Sequence, residues 1–194
     1  SHPGGECRNC VVWPNCDDFQ SKFQARETFQ PSNANQQILA DNDPNFKVLN
    51  LTTSFTQDAM DSYWHKSLGG YHGAKLKRIQ ELIELQLTKG GQLNQPIVNM
   101  LNTKYLIVQG QDGQPMAQLN QNALGNAWFI DSLIKVENGD EEIAALGEGF
   151  DPSKNAYTYA NEILGTKVYT NDSIATISLT SYAPNKLTYS SNCS

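Results

Sequence analysis

The chain has 194 residues and a formal net charge of −6, with 39% hydrophobic and 18% charged residues. This apolar share suffices for a packed core, and the length suits one sizeable domain or one domain with a small appendage. The acidic balance disfavours nucleic-acid binding, which depends on basic side chains that neutralise phosphates. No apolar run reaches the roughly 18 residues that a membrane span needs, so we expect the chain itself to be soluble.

The first 32 residues are predicted to be loop-like, because turn signals such as HPGG and WPN interrupt every apolar pattern. The cysteines of the chain are Cys7, Cys10, Cys16 and Cys193. A zinc site normally has a second C-x2-C pair, which is missing here, although His2 could act as a fourth ligand. Disulfides formed in an oxidising compartment fit four cysteines at the two ends of a chain better. Their pairing stays open, and no metal or cofactor is predicted.

Residues 33–164 are predicted to form the α/β core domain. Ser32 is a candidate N-cap for a short helix that ends before Pro44. The segment FKVLNLT at 46–52 alternates apolar residues and reads as a strand. The segment TKYLIVQG at 103–110 is almost continuously apolar, which is typical of a central strand buried on both faces.

The clearest predicted helix spans residues 74–89. Its expected inner face consists of Leu76, Ile79, Ile83 and Leu87, with Leu82 and Leu85 widening the stripe. Arg78 and Glu81 are three residues apart and are expected to pair on the outer face. The pair Gly90-Gly91 is expected to end the helix as a left-handed C-cap.

The order of strand, helix and strand between residues 46 and 110 predicts a βαβ-type unit. Further along, residues 127–137 read as a strand with a bulge near Asp131-Ser132. Residues 165–194 contain short alternating runs that predict antiparallel strands, with a turn at 183–185. The predicted fold class is therefore α+β, a mixed sheet flanked by helices with C-terminal antiparallel strands.

The stretch YWHKSLGGYHGAK at 63–75 is the strongest candidate for a functional site. Its candidate binding residues are Tyr63, His65, Lys66, Tyr71, His72 and Lys75. Glycines before a helix expose amides that can hold an anion, and aromatic rings beside polar groups suit stacking on a sugar. The alternative is that the glycines only bend the chain and the rings pack. No G-x-S-x-G elbow, P-loop, Rossmann fingerprint or H-E-x-x-H motif is present, so a complete catalytic centre is not predicted.

Several blocks occur together in a recognisable order. They are FKVLNLT, SYWHKSLGGYHGAKLKRIQELIE, NMLNTKYLIV, ALGNAWFI and SYAPNKLTY. As a set, across residues 28–192, they closely resemble the region that follows the main transmembrane bundle in the YfhO-like family of bacterial polytopic membrane proteins, especially its Bacteroidetes-type members. Residues 1–20 depart from the pattern of that family.

The resemblance implies a parent protein with many transmembrane helices, of the type seen in lipid-sugar-dependent glycosyltransferases. This segment would be its soluble part on the extracytoplasmic, periplasmic side, and the last strands would begin a β-sandwich. It would assist cell-envelope glycosylation by binding a glycan or a lipid-linked sugar beside its own transmembrane bundle. The family's catalytic acid is expected outside this segment, so the fragment alone is expected to lack transferase activity. The alternative is a non-catalytic scaffold that docks on the bundle or a partner.

Overall fold

A computed structural model describes residues 30–55, 59–70, 76–89, 91–159, 166–169, 175–183 and 185–192. In chain order its elements are α1 (Asn33–Leu39), β1 (Lys47–Asn50), α2 (Asp61–Trp64), α3 (Lys77–Leu82) with a π-helical turn (Ile83–Leu87), β2 (Thr88–Lys89), β3 (Gln92–Leu93), α4 (Gln95–Met100), β4 (Thr103–Gln109), β5 (Pro115–Leu119), β6 (Ser132–Lys135), α5 (Gly139–Ala145), β7 (Asn155–Thr158), β8 (Lys167–Val168), β9 (Thr176–Ala183) and β10 (Lys186–Asn192). Helices accompany sheets with parallel and antiparallel pairs, so the predicted α+β class is confirmed. The four cysteines lie outside the described residues.

The main sheet has the strand order β1-β4-β5. β1 and β4 are parallel, whereas β4 and β5 form an antiparallel hairpin. The two parallel strands are separated in sequence by α3, as the βαβ prediction requires. β4 occupies the centre of the sheet because its sequence is the most continuously apolar, and Leu106 and Ile107 are buried in it.

Helix α1 begins where the sequence places its cap. The Ser32 hydroxyl accepts a hydrogen bond from the Asn35 backbone N–H at 3.2 Å, which satisfies a donor that the first helical turn leaves unpaired. Ala34 and Ile38 of this helix are buried and form a small core with Phe46, Val48 and Ile107. The helix is thereby fixed against one face of the main sheet.

The predicted inner face of the long helix is wrong in its first half and at Leu85, which is 51% exposed. Leu76 is 75% exposed, and Ile79 is also exposed, whereas Leu82, Ile83 and Leu87 are buried. Only the end of α3 and the π-helical turn enter the main core, so the apolar stripe does not continue in register along one straight helix. Arg78 does not pair with Glu81 as predicted. Its ion-pair partner is Glu142 of α5, while Lys77 pairs with Glu81 at 3.3 Å.

Gly91 does not form the predicted helix cap, and Gly90 lies outside the described residues. The helical segment ends at Leu87, and β2 then pairs with β3 in a short antiparallel hairpin. Gly91 lies in the turn with a φ of +78°, a conformation that favours glycine. Gly91 therefore belongs to a hairpin turn rather than to a C-cap.

A second sheet has the order β7-β6-β8. The strand predicted at 127–137 begins only at Ser132, because the backbone N–H groups of Asp131 and Ser132 both donate to Lys154 O instead of continuing a ladder. Strand β8 falls within the 165–194 segment but pairs with β6 of the predicted core domain. β9 and β10 form the predicted C-terminal hairpin, with a register shift between Thr188 and Tyr189.

The main core lies between the sheet and the helices that follow it. Its buried members are Leu49, Leu82, Ile83, Leu87, Ile97, Val98, Leu106 and Phe150. They come from the strands, from the end of the long helix, from α4 and from the loop after α5. This cluster fixes the sheet whose edge carries the candidate site.

Candidate functional site

An open cleft of about 390 Å³ lies at the edge of the main sheet, and we call it the Trp64 cleft. Residues from two stretches line it, 38–46 and 62–66. Three of the six predicted site residues, Tyr63, His65 and Lys66, contribute to this lining. The other three, Tyr71, His72 and Lys75, lie outside the described residues.

Backbone pairing fixes the segment that carries His65 and Lys66. The Val48 N–H donates to Lys66 O at 3.1 Å, and the Leu68 N–H donates to Val48 O at 2.8 Å. β1 already pairs with β4 on its other side. These bonds therefore attach the segment after α2 to the free edge of the sheet, and its side chains are held on a rigid support.

Helix α2 is tied to the same strand through its first residue. The Asn50 Nδ2 group at the end of β1 donates to Asp61 Oδ2 at 2.7 Å, and the Asp61 side chain is buried. The His65 N–H donates to Asp61 O at 2.9 Å and closes this short helix. Tyr63 and Trp64 are consequently presented from a turn that is anchored at both ends.

His65 is half-buried, and its Nε2 atom lies 3.0 Å from Oδ1 of the buried Asn35. Because Asn35 Oδ1 can only accept, Nε2 must carry the proton. Desolvation by burial lowers the pKa of His65, and the nearby Asp61 carboxylate only partly opposes this effect. The ring is therefore neutral near pH 7, and its Nδ1 atom is a hydrogen-bond acceptor.

Two aromatic rings meet at the cleft. The ring centroids of Tyr63 and Trp64 are 4.7 Å apart with an interplanar angle of 80°, which is the favoured edge-to-face arrangement. Tyr63 is 64% exposed. Trp64 is half-buried beside it, so part of the aromatic surface of the pair lines the cleft.

Two carboxylates that the sequence analysis did not single out also line the cleft. The Asp41 carboxylate lies 2.6 Å from Lys104 Nζ, and its Oδ2 accepts from the Tyr105 hydroxyl at 2.9 Å. The Asp43 carboxylate is more exposed and lies 3.6 Å from the same ammonium. The only sequence feature that marks them is the Asp-x-Asp motif before Pro44, and a motif of three residues is not specific enough to predict a site.

The partners of Asp41 determine its protonation. The hydrogen bond from Lys104, followed by those from the Asp43 backbone and from Tyr105, lowers the pKa of Asp41 from its ordinary 3.8 to about 2. The carboxylate is ionised throughout the physiological range. It cannot serve as a proton donor there, so its role in the cleft is that of a fixed negative charge and acceptor.

Acid unfolding tests this pair. Because the pKa of Asp41 is lower in the folded chain, its stabilising effect is complete above pH 3.8 and disappears as the pH falls towards about 2. We expect the midpoint of urea unfolding to fall over this range in the unmodified chain and to fall less in Lys104→Met. The exposed Lys167→Met is the control, and equal acid sensitivity of all three proteins would contradict the assignment.

Within the described part of the chain, no group of three or more histidine, cysteine, aspartate or glutamate side chains is arranged to hold a metal ion. None of the described helices combines the length and the apolar character needed to cross a membrane. Comparisons with family models, with curated proteins and with solved structures give no significant match. The functional argument therefore depends on the chemistry of the Trp64 cleft.

Proposed function

We propose that this chain is a saccharide-binding domain that holds a glycan, or the sugar of a lipid-linked donor, in the Trp64 cleft. In this proposal it is the extracytoplasmic, periplasmic part of a YfhO-like membrane protein and assists glycosylation of the cell envelope. One observation carries the proposal: exposed Tyr63 and half-buried Trp64 share one open cleft with a fixed carboxylate, a neutral histidine and a lysine.

The chemistry of the cleft suits a sugar. The apolar C–H face of a pyranose can lie on an aromatic ring, while its hydroxyls need several donors and acceptors at fixed positions. Tyr63 and Trp64 offer the rings, Asp43 and His65 Nδ1 offer acceptors, and Lys66 offers a donor. The rigid attachment of this segment to β1 reduces the ordering cost of binding.

The test begins with a screen of immobilised oligosaccharides, followed by calorimetric titration of the glycans that are retained. Tyr63→Ala is expected to weaken binding by up to about tenfold, since an aromatic contact contributes on the order of 0.5–1.5 kcal/mol. Tyr169→Ala is the matched control because Tyr169 is an exposed tyrosine on another sheet, next to β8. If Tyr63→Ala is retained on the oligosaccharides as strongly as the unmodified chain, the proposal is contradicted.

A second candidate function, docking on the transmembrane bundle or a partner, is favoured by the hairpin β9–β10. Tyr182 and Leu187 are directly paired across it, and each is about half exposed. The backbone N–H and C=O groups along the edges of a two-stranded sheet can pair with a further strand from a partner. Co-purification of the domain with its separately expressed membrane-embedded remainder tests this candidate. A domain that docks but retains no saccharide would favour it over the first.

A further inference from the structure

A second cavity of about 340 Å³ adjoins the Trp64 cleft, and we call it the Lys66 pocket. Phe46 and Lys66 line both cavities, so the two form neighbouring compartments. The polar lining of the Lys66 pocket includes Asn45, Lys47, Lys66, Asn102 and Asn126. No acidic side chain is among the described residues that line it.

The charge of this pocket contrasts with that of the chain, which has a net charge of −6. Neither Lys47 nor Lys66 forms an ion pair with a described residue, whereas Lys104 and Arg78 both do. Lys66 Nζ instead donates to Asn45 Oδ1 at 3.1 Å and lies 4.5 Å from the centroid of the Tyr182 ring. These two neutral contacts position the ammonium without neutralising its charge.

The amides of the pocket are also held in place. Asn102 has a φ of +55°, in the left-handed region that asparagine tolerates better than most residues, directly after α4. Its Nδ2 donates to Asn45 O at 2.8 Å and to Asn126 Oδ1 at 3.2 Å. Because Asn126 Oδ1 is used as the acceptor, the Asn126 Nδ2 group remains as a donor.

We propose that the Lys66 pocket binds an anionic group, either phosphate or carboxylate, carried by the saccharide in the Trp64 cleft. Two uncompensated ammonium groups and the Asn126 amide donor are the arrangement that an oxyanion needs. The ligand class is therefore an acidic saccharide rather than a neutral one. This inference rests on the proposed function for the sugar, whereas the anion site itself does not depend on it.

Calorimetric titration with four probes tests the inference: glucose, glucose 6-phosphate, glucuronate and inorganic phosphate. A charged hydrogen bond to lysine is expected to make an acidic probe bind about tenfold more tightly than glucose. Glucose 6-phosphate and glucuronate distinguish phosphate from carboxylate, because the probe with the group that the pocket prefers should show the larger increase in affinity over glucose. Raising the salt concentration should weaken the acidic probes and leave glucose unchanged.

Lys47→Gln is the decisive variant because Lys47 lines only the Lys66 pocket and not the Trp64 cleft. It should remove most of the advantage of the acidic probes while glucose binding stays the same. Lys167→Gln, an exposed lysine of β8, is the control and should change neither. Circular dichroism of each variant verifies that the fold is retained.

The outcomes separate the two proposals. Phosphate binding that is lost in Lys47→Gln, together with no retention of any immobilised oligosaccharide, would support the Lys66 pocket and overturn the saccharide function. Equal affinities for glucose, glucose 6-phosphate and glucuronate would overturn the anion site and leave the saccharide function standing. If Lys47→Gln still binds the acidic probes more tightly than glucose by the same factor, the anion site would also be overturned.

Discussion

Replacement of Leu87 by alanine is expected to lower the free energy of unfolding by about 2–5 kcal/mol. Leu87 is fully buried at the end of the π-helical turn and belongs to the main core cluster. The variant loses the transfer free energy of the removed carbons and leaves a cavity between the helix and the sheet. Urea unfolding followed by circular dichroism measures the difference.

Leu85→Ala is the matched control, because Leu85 lies in the same turn and is 51% exposed. Its effect is expected to stay within about 0.5 kcal/mol. Equal destabilisation of the two variants would mean that the turn does not have the described orientation, and the placement of the helix against the core would then be wrong.

Asp61→Ala is expected to have the second large effect, because it acts on both stability and binding. The change removes the acceptor of Asn50 Nδ2 at the buried start of α2, and an unpaired group of this kind costs about 1–3 kcal/mol. It also loosens the turn that presents Tyr63 and Trp64. We therefore expect lower stability in urea together with weaker retention of saccharide.

Asp61→Asn separates this positioning role from a simple loss of charge. The asparagine carbonyl can still accept from Asn50 Nδ2, so most of the stability and of the binding should be restored. If Asp61→Asn were as damaged as Asp61→Ala, the hydrogen bond to Asn50 would not be the feature that anchors α2.

The elements with a strong local signal are predictable from the sequence. The nearly continuous apolar run 103–110 is the central strand, Ser32 caps α1, and the acidic first turn of α5 follows a capping Asn138. In each case the side chains within a few residues determine the local structure, and tertiary packing agrees with them.

The sequence predictions that are wrong concern segments whose local structure is determined by tertiary packing. The spacing of Leu76, Ile79, Ile83 and Leu87 fits a straight α-helix, and nothing local indicates a π-helical turn after Leu82. Likewise, two adjacent glycines suit a helix cap and a hairpin turn equally well. The choice depends on whether β2 finds β3 as a partner, which is a pairing between separate segments.

The candidate site was predictable only in part. The aromatic and basic stretch at 63–66 identified one wall of the Trp64 cleft, because several functional residue types cluster there in sequence. The other wall, with Asp41 and Asp43, comes from a segment about twenty residues earlier that the sheet brings alongside. The Lys66 pocket is assembled from still more distant segments, so no local pattern reveals it.

The most direct test of the saccharide-binding claim follows the indole N–H signals of the tryptophans by NMR during titration with neutral oligosaccharides. Trp64→Phe assigns the signal from the cleft, and the same titration of Tyr63→Ala, which removes the ring beside Trp64, is the control. Binding in the Trp64 cleft predicts a saturable shift of the Trp64 signal that weakens in Tyr63→Ala. A Trp64 signal that stays unshifted, or that shifts equally in Tyr63→Ala, would contradict it.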